Sequence, residues 1–275
     1  MEESSAISKL SEHVSLSMFQ CIVELSKDFT DSSYNLLKYW IHLYDISQKS
    51  DAQKISITDD NKPLDTIDTV EISKVIVKAF EPGSLGTTIH CYNGDKASIG
   101  SLSVKFTLKH IDYAIDEINL SVLLFKKGKV KISGGLGKIP FGDNLTDDFL
   151  NILLNNLIIQ PVLRICFGVT QLPMYFMQKK MINANMRRPT MIGKERYLDF
   201  IQDIIRVFGT HRVILPEIMQ INGKKRGRIC AVKVKNEFGK KGSFAVDHSG
   251  NVQFFAFNNI DELKVHALDL FKIWL

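Results

Sequence analysis

Arginine is missing from the first 160 residues of this 275-residue chain, and cysteine and tryptophan are scarce, at four and two. Cys21, Cys91, Cys166 and Cys230 stand far apart with no paired spacing, which argues against a disulfide framework or a zinc knuckle and suits a reducing compartment. No window approaches the roughly 18 to 20 uncharged apolar residues of a membrane helix. The opening MEESSAISKLSEH is acidic and polar, where a secretion signal would be basic and then apolar. The expectation is a soluble intracellular protein with no membrane association. What is present is ordinary: 45% hydrophobic and 24% charged residues, enough to bury roughly three-quarters of the unfolded surface and to exclude wholesale disorder or a collagen-like repeat.

The missing arginine belongs to a larger asymmetry. Residues 1–160 carry 16 Lys against 21 Asp plus Glu, whereas residues 161–275 carry 19 basic against 9 acidic side chains. A net charge of +5 therefore conceals an acidic half and a strongly basic one. A lobe of that sign suits a polyanion, most commonly nucleic acid, although a basic solvated surface has the same composition.

Local patterning divides the chain into recognisable elements. Residues 17–25 alternate as a strand, and a helix follows in which Tyr34, Leu37, Ile41 and Tyr44 recur at helical spacing behind a cap at Asp31 or Ser32. Residues 46–70 are polar and read as an insertion or mobile loop, and residues 71–94 fit either state. The clearest signal is a hairpin, LSVLLF and KVKISGG joined by Lys126-Lys127-Gly128, where glycine supplies the positive φ of a tight turn. A helix then starts near Thr146, with Asp147 and Asp148 in its first turn, and runs through Leu150, Leu153, Leu154, Leu157 and Ile158.

The same order returns. SFAV, a turn over Asp247 to Gly250, and NVQFFAF form a second hairpin, and Asn259 caps a helix carrying Leu263, Ala267, Leu270, Phe271 and Trp274. Strands at 101–108 and 228–234 precede the two hairpins, and residues 163–169 are taken as the counterpart of the first strand. Two repeats are thus expected, 1–160 with an insertion at about 46–95, and a basic 161–275. The basic residues between 179 and 196 read as a solvated connector.

VLLFKKGKVKISGG and FAVDHSGNVQFFAF, each followed by an amphipathic helix, resemble the two repeats of the TATA-box-binding protein family, in particular the divergent copies found in large cytoplasmic DNA viruses. Phe125, Gly128, Lys129, Ser133 and Gly134 carry the match. The resemblance implies an α+β fold of two pseudo-symmetric repeats, a saddle-shaped curved antiparallel sheet with helices on its convex face. It implies a transcription initiation factor that binds AT-rich double-stranded promoter DNA in the minor groove and recruits initiation factors or RNA polymerase. Apolar contacts and DNA deformability then carry selectivity, because the minor groove shows a nearly degenerate code. The implied location is a viral factory or host cytoplasm if the source is viral, and otherwise the nucleus.

On that resemblance Leu123 and Phe125 lie on the concave face, Lys129 and Lys131 near phosphates, and Ser133 at the groove floor. Gln20 and Ile22 sit nearer the centre, with Arg164 and Cys166 as their second-half equivalents. Asn251, Gln253 and Phe255 replace the family's usual basic, aliphatic and hydroxyl residues on the last strand of the second hairpin, and Asp247 stands where the second-half wedge Phe belongs. Lys224, Lys225, Arg226 and Arg228 place dense charge at a strand entrance, suited to phosphates. An acid on a DNA-facing surface also keeps a second expectation open, a protein-interaction module of a transcription complex that has lost DNA binding.

Catalysis finds no support in the residues. The Ser133–Lys138 run lacks the opening glycine of a phosphate loop, since Ile132 stands there, and Ile139 replaces its Ser or Thr. The seven histidines never pair at metal-ligand spacing. Asp112, Asp116 and Glu117 read as a charged turn. The expectation is a non-enzyme with no cofactor, metal or small-molecule substrate.

Overall fold

The computed structural model describes residues 9–48, 53–56, 69–78, 89–92, 96–99, 101–110, 117–137, 139, 141–142, 144–187, 196–215, 232–237, 239–247 and 250–274, with backbone alone at 48, 53–56, 69–78, 89–92, 96–99, 110 and 197. The strands are β1 Val14–Leu25, β2 Gln53–Ser56, β3 Thr69–Lys78, β4 Ile89–Tyr92, β5 Lys96–Ile99, β6 Ser101–His110, β7 Ile118–Phe125, β8 Lys129–Gly135, β9 Tyr175–Met186, β10 Val213–Ile214, β11 Val232–Lys235, β12 Ser243–Val246 and β13 Val252–Phe257. The helices are α1 Lys27–Ser32, α2 Leu36–Gln48, α3 Asp147–Leu154, α4 Gln160–Phe167, α5 Tyr197–Phe208 and α6 Ile260–Trp274, with a π-helical turn Asn155–Ile159 between α3 and α4. The chain is α+β, as expected, and β2-β3-β6-β7-β8 and β9-β13-β12-β11-β10 pair antiparallel.

Two compact units share these elements: an N-terminal unit of Phe19–Lys138 and Leu150–Lys179, and a C-terminal unit of Met1–Met18, Ile139–Phe149 and Lys180–Leu275. In the N-terminal unit the strand order is β1-β8-β7-β6-β3-β2. In the C-terminal unit it is β9-β13-β12-β11-β10. Each order sets the first strand beside the last strand of a meander. The strand, helix, meander, helix sequence expected twice is therefore built twice.

Alternation decides which face is buried. In the N-terminal unit Phe19, Cys21, Val23, Leu102, Val104, Phe106, Leu108, Val122, Leu124, Val130 and Ile132 are closed off from solvent. Leu36, Tyr39 and Leu43 of α2, and Leu157, Ile158, Val162, Leu163 and Ile165 around α4, complete that core. In the C-terminal unit Ile182, Ala184, Val232, Val234, Phe244, Val252, Phe254 and Phe257 join Ile204, Phe208, Leu263, Ala267 and Leu270. Each fully buried Leu or Phe contributes about 1.5–3 kcal/mol by leaving water.

Side chains cap both later helices, at Asn259 as the sequence predicts. Thr146 Oγ1 accepts from the Phe149 N–H at 3.2 Å. Asn259 Oδ1 accepts from the Asp261 and Glu262 N–H groups at 2.8 and 3.1 Å, an arrangement that stabilises a helix start by about 1 kcal/mol.

Several expectations change. Residues 163–167 are helix, not strand: the apolar run from Asp147 continues through the π-turn ahead of Pro161, which has no N–H to donate to the preceding turn, and stops at Gly168 with φ +63°. The segment expected as a connector supplies the strand β9 instead. The helix expected from residue 31 is two helices, and Asn35 Oδ1 rather than Asp31 or Ser32 caps the second, accepting from Leu37 and Lys38 N–H at 3.0 and 3.1 Å. Its stripe Leu37, Ile41 and Tyr44 faces solvent, while Leu36, Tyr39 and Leu43 are buried. Finally, Asp147–Phe167 is long and apolar enough to cross a membrane by length and composition, but 67% of its apolar window is buried inside the protein, the signature of a core helix. Of the expected loop at 46–70, residues 53–56 form β2 and β3 begins at Thr69; the remainder after residue 48 lies outside the described residues.

Candidate nucleic-acid interface

Because strand side chains alternate, the positions between the core residues point away from the helices. On β1 these are Gln20, Ile22 and Glu24; on β8, Lys129, Lys131 and Ser133; on β7, Asn119, Ser121, Leu123 and Phe125. Register joins them into rows: Ser103 beside Leu123 beside Lys131, Lys105 beside Ser121 beside Ser133, and Ser101 beside Phe125. The Ser133 hydroxyl lies 3.5 Å from the Ser121 carbonyl oxygen, at the outer limit of a hydrogen bond. The outward face of the N-terminal unit thus sets half-buried Ile22 on one side of β8 and half-buried Leu123 and Phe125 on the other, with the lysines and Ser133 of β8 between them. Glu24 is the one carboxylate at these outward positions, and it pairs with Lys129 at 3.0 Å.

The β7–β8 turn is rigid for identifiable reasons. Gly128 takes φ +71° and its N–H donates to the Phe125 carbonyl at 3.1 Å. A Cβ there would run into the methyl group of Thr30, so glycine is required by close packing as well as by φ. The Tyr34 hydroxyl donates to the same Phe125 carbonyl at 2.9 Å, and burial pushes that phenol's pKa well up. Phe125 is held from both sides.

The β12–β13 turn copies this geometry. Gly250 has φ +85° and donates its N–H to the Asp247 carbonyl at 3.0 Å. Asp247 therefore occupies the Phe125 position, and by the same offset Asn251, Gln253 and Phe255 occupy those of Lys129, Lys131 and Ser133. The Asp247 carboxylate accepts from the Asn251 N–H at 3.0 Å, closing the turn. Across the outward face Lys233, Ala245, Gln253 and Asn185 form one row, and Lys235, Ser243 and Phe255 the next. After Phe255 the strand bulges: Ala256 adopts φ +56°, and its N–H donates to Asn183 Oδ1 at 2.9 Å.

Two expected contacts fail on placement. Arg164 and Cys166 lie on α4, and Cys166 is fully enclosed, its thiol pushed up by burial, so it has no face to offer a ligand. The real counterpart of β1 is β9: at an offset of 161 residues the closing burial pattern of the two strands coincides, with Leu25 falling on Met186. Asn183 then stands at the place of Ile22 and Asn185 at that of Glu24. Lys224, Lys225, Arg226 and Arg228 lie outside the described residues.

Sequence inspection passed over Asn183, Asn185 and Phe176, the last 66% exposed on β9. The signal was the alternation in INANM, masked upstream by adjacent lysines and three methionines.

The architecture defines a class, a two-repeat α+β protein whose sheets, among the described residues, are covered by helices on one face only. No known family's sequence pattern matches this chain, and no curated protein matches it. Among solved structures it is similar to Methanococcus jannaschii TBP at 9% identity and a TM-score of 0.38, over 95% of this chain and 99% of that one.

Proposed function

We propose that this protein is a TATA-box-binding-protein-like transcription initiation factor that binds AT-rich double-stranded DNA in the minor groove through the open faces of its sheets and engages transcription machinery through other surfaces. The observation that carries this reading is the outward face of the N-terminal unit, where apolar Ile22 of β1 and Leu123 and Phe125 of β7 lie on either side of β8, with Lys131 and Ser133 between them and Ser121 and Lys105 alongside. Apolar side chains tolerate the groove floor while the lysines meet phosphates. The amides of Asn185, Asn251 and Gln253 add donors suited to the acceptor-only A·T edge.

Fluorescence anisotropy with AT-rich and GC-rich duplexes across a salt series tests it. Expected are AT preference and a steep fall of affinity with salt. Phe125→Ala should weaken binding and reduce bending without matching loss of thermal stability. Equal, weak binding to both duplexes would instead favour an interaction module that has lost DNA binding, the reading that Asp247 on the C-terminal face supports.

A further inference from the structure

The β7–β8 turn does more than present Phe125. It forms one wall of an open hollow of about 650 Å³ whose lining includes Lys27, Thr30, Lys126, Lys127, Lys129 and Glu24. Lys27 comes from a different element, the start of α1, and three contacts, one from the helix and one from each side of it, dock the 25–34 segment on the turn. Leu25 N–H donates to the Gly128 carbonyl at 3.0 Å, Thr30 packs where Gly128 lacks a side chain, and Tyr34 bonds the Phe125 carbonyl. Glu24 is already paired with Lys129. Among the described residues Lys27, Lys126 and Lys127 meet no carboxylate within ion-pair distance, so three exposed cations converge on a hollow whose one lining carboxylate, Glu24, is bonded to Lys129. The C-terminal unit shows the contrast: in the hollow lined by His211, Arg212, Lys235 and Lys240, Lys240 is matched by Glu237 and Glu262 at 3.3 Å each, and Arg212 Nε donates to the Lys235 carbonyl at 2.9 Å.

We infer that this lysine hollow is a phosphate clamp that grips the nucleic-acid backbone where it passes the β7–β8 turn, with Lys27, Lys126 and Lys127 as its cations. The inference deepens the proposed DNA-binding reading but concerns sequence-independent contacts. A backbone fits better than an isolated anion because the hollow is open and its cations come from two separate segments, so that successive phosphates can each meet one. Lysine is suited to this, since its ammonium is a flexible point charge that needs no fixed geometry.

The test is the salt dependence of binding to a GC-rich duplex and to an AT-rich duplex, comparing wild type with Lys27→Gln, Lys126→Gln/Lys127→Gln, the triple variant, and Lys38→Gln on α2 as a charge control. Each neutralised phosphate contact accounts for about 0.9 of the log–log salt slope. The triple variant should therefore lose about 2 to 3 units of slope on both duplexes, Lys27→Gln about 1, and Lys38→Gln none. All should melt at the wild-type temperature, because none of the exchanged ammonium groups is buried. An unchanged slope in Lys27→Gln and the triple variant overturns the clamp, as does an equal loss in Lys38→Gln, which would mark a general charge effect. So does inorganic pyrophosphate that saturates the wild type but not the triple variant while duplex slopes stay alike, since the site would then hold a free anion. Loss of AT preference with the slope changes intact would sink the proposed function and leave the clamp standing; absence of salt-dependent binding to either duplex would sink both.

Discussion

The two hairpin turns share a backbone and differ in chemistry. Both close with a glycine N–H donated to the carbonyl three residues earlier, and both glycines have positive φ. Around the first stand Phe125, three uncompensated lysines and a helix packed against the glycine; around the second stand an aspartate engaged with the next strand's backbone and amides in place of lysines. Turn geometry is a local property that survives many side chains, so it preserves the repeat. The side chains around it are free to diverge, and here one turn suits a polyanion and the other carries a charge that opposes one.

The sharpest way to break this comparison is the glycine itself. Gly128→Ala should cost about 3 kcal/mol, combining a strained φ with overlap of the Thr30 methyl, whereas Gly250→Ala should cost about 1 kcal/mol if strained φ is its main penalty; denaturant unfolding of the two variants measures both. Equal costs would show that α1 does not brace the first turn.

A second contrast is in pH. His266 is buried in the C-terminal unit, its Nε2 2.8 Å from Asn236 Oδ1 and its Nδ1 without a partner. Burial lowers its pKa, Arg212 adds to the lowering, and Asp269, Glu237 and Glu262 oppose it. With the folded pKa below the unfolded 6.5, the unfolded state binds the proton more readily, so the contribution is present above pH 6.5 and fades as pH falls below it. The melting temperature should drop by a few degrees, about 2 to 4, from pH 7.5 to 5.5, and the drop should shrink in His266→Gln relative to that variant's own value at pH 7.5.

Smaller effects sharpen the difference between the faces. Asp247→Asn removes a charge from the second turn while keeping an acceptor for the Asn251 N–H; stability should change by less than about 1 kcal/mol and affinity for duplex DNA should rise several-fold, read by anisotropy. An unchanged affinity would place the C-terminal turn away from the DNA. Smallest of all, Glu24→Gln should leave stability within about 0.5 kcal/mol, because the Glu24–Lys129 pair is half exposed, yet slightly strengthen DNA binding by releasing Lys129.

Both hairpins, the helix start near Thr146 and the cap at Asn259 were readable from residues alone, since glycine turns, an Asn cap and strand alternation are set within a few positions, and the Phe125–Asp247 correspondence followed from the family resemblance. The first-strand counterpart was not. ICFGV has strand-like composition, but it continues a helix already nucleated at Asp147 and already apolar, and the terminating Gly168 was the available clue. Helix α2 misled for a related reason: both Leu36-Tyr39-Leu43 and Leu37-Ile41-Tyr44 have helical spacing, and periodicity cannot choose between two apolar stripes. Lys27 belongs to no motif, and its closeness to Lys126 and Lys127 arises only when α1 docks on the turn.

By itself the amino-acid order determined where the chain turns, where helices begin, and that one building plan is used twice, because those outcomes depend on φ preference, capping and alternation over short spans. Tertiary structure decided that β9 and not residues 163–169 answers β1, which stripe of α2 is buried, and which lysines share a hollow. Those outcomes depend on pairing and packing between segments far apart in sequence, where many local choices are nearly equal in free energy and long-range burial selects among them.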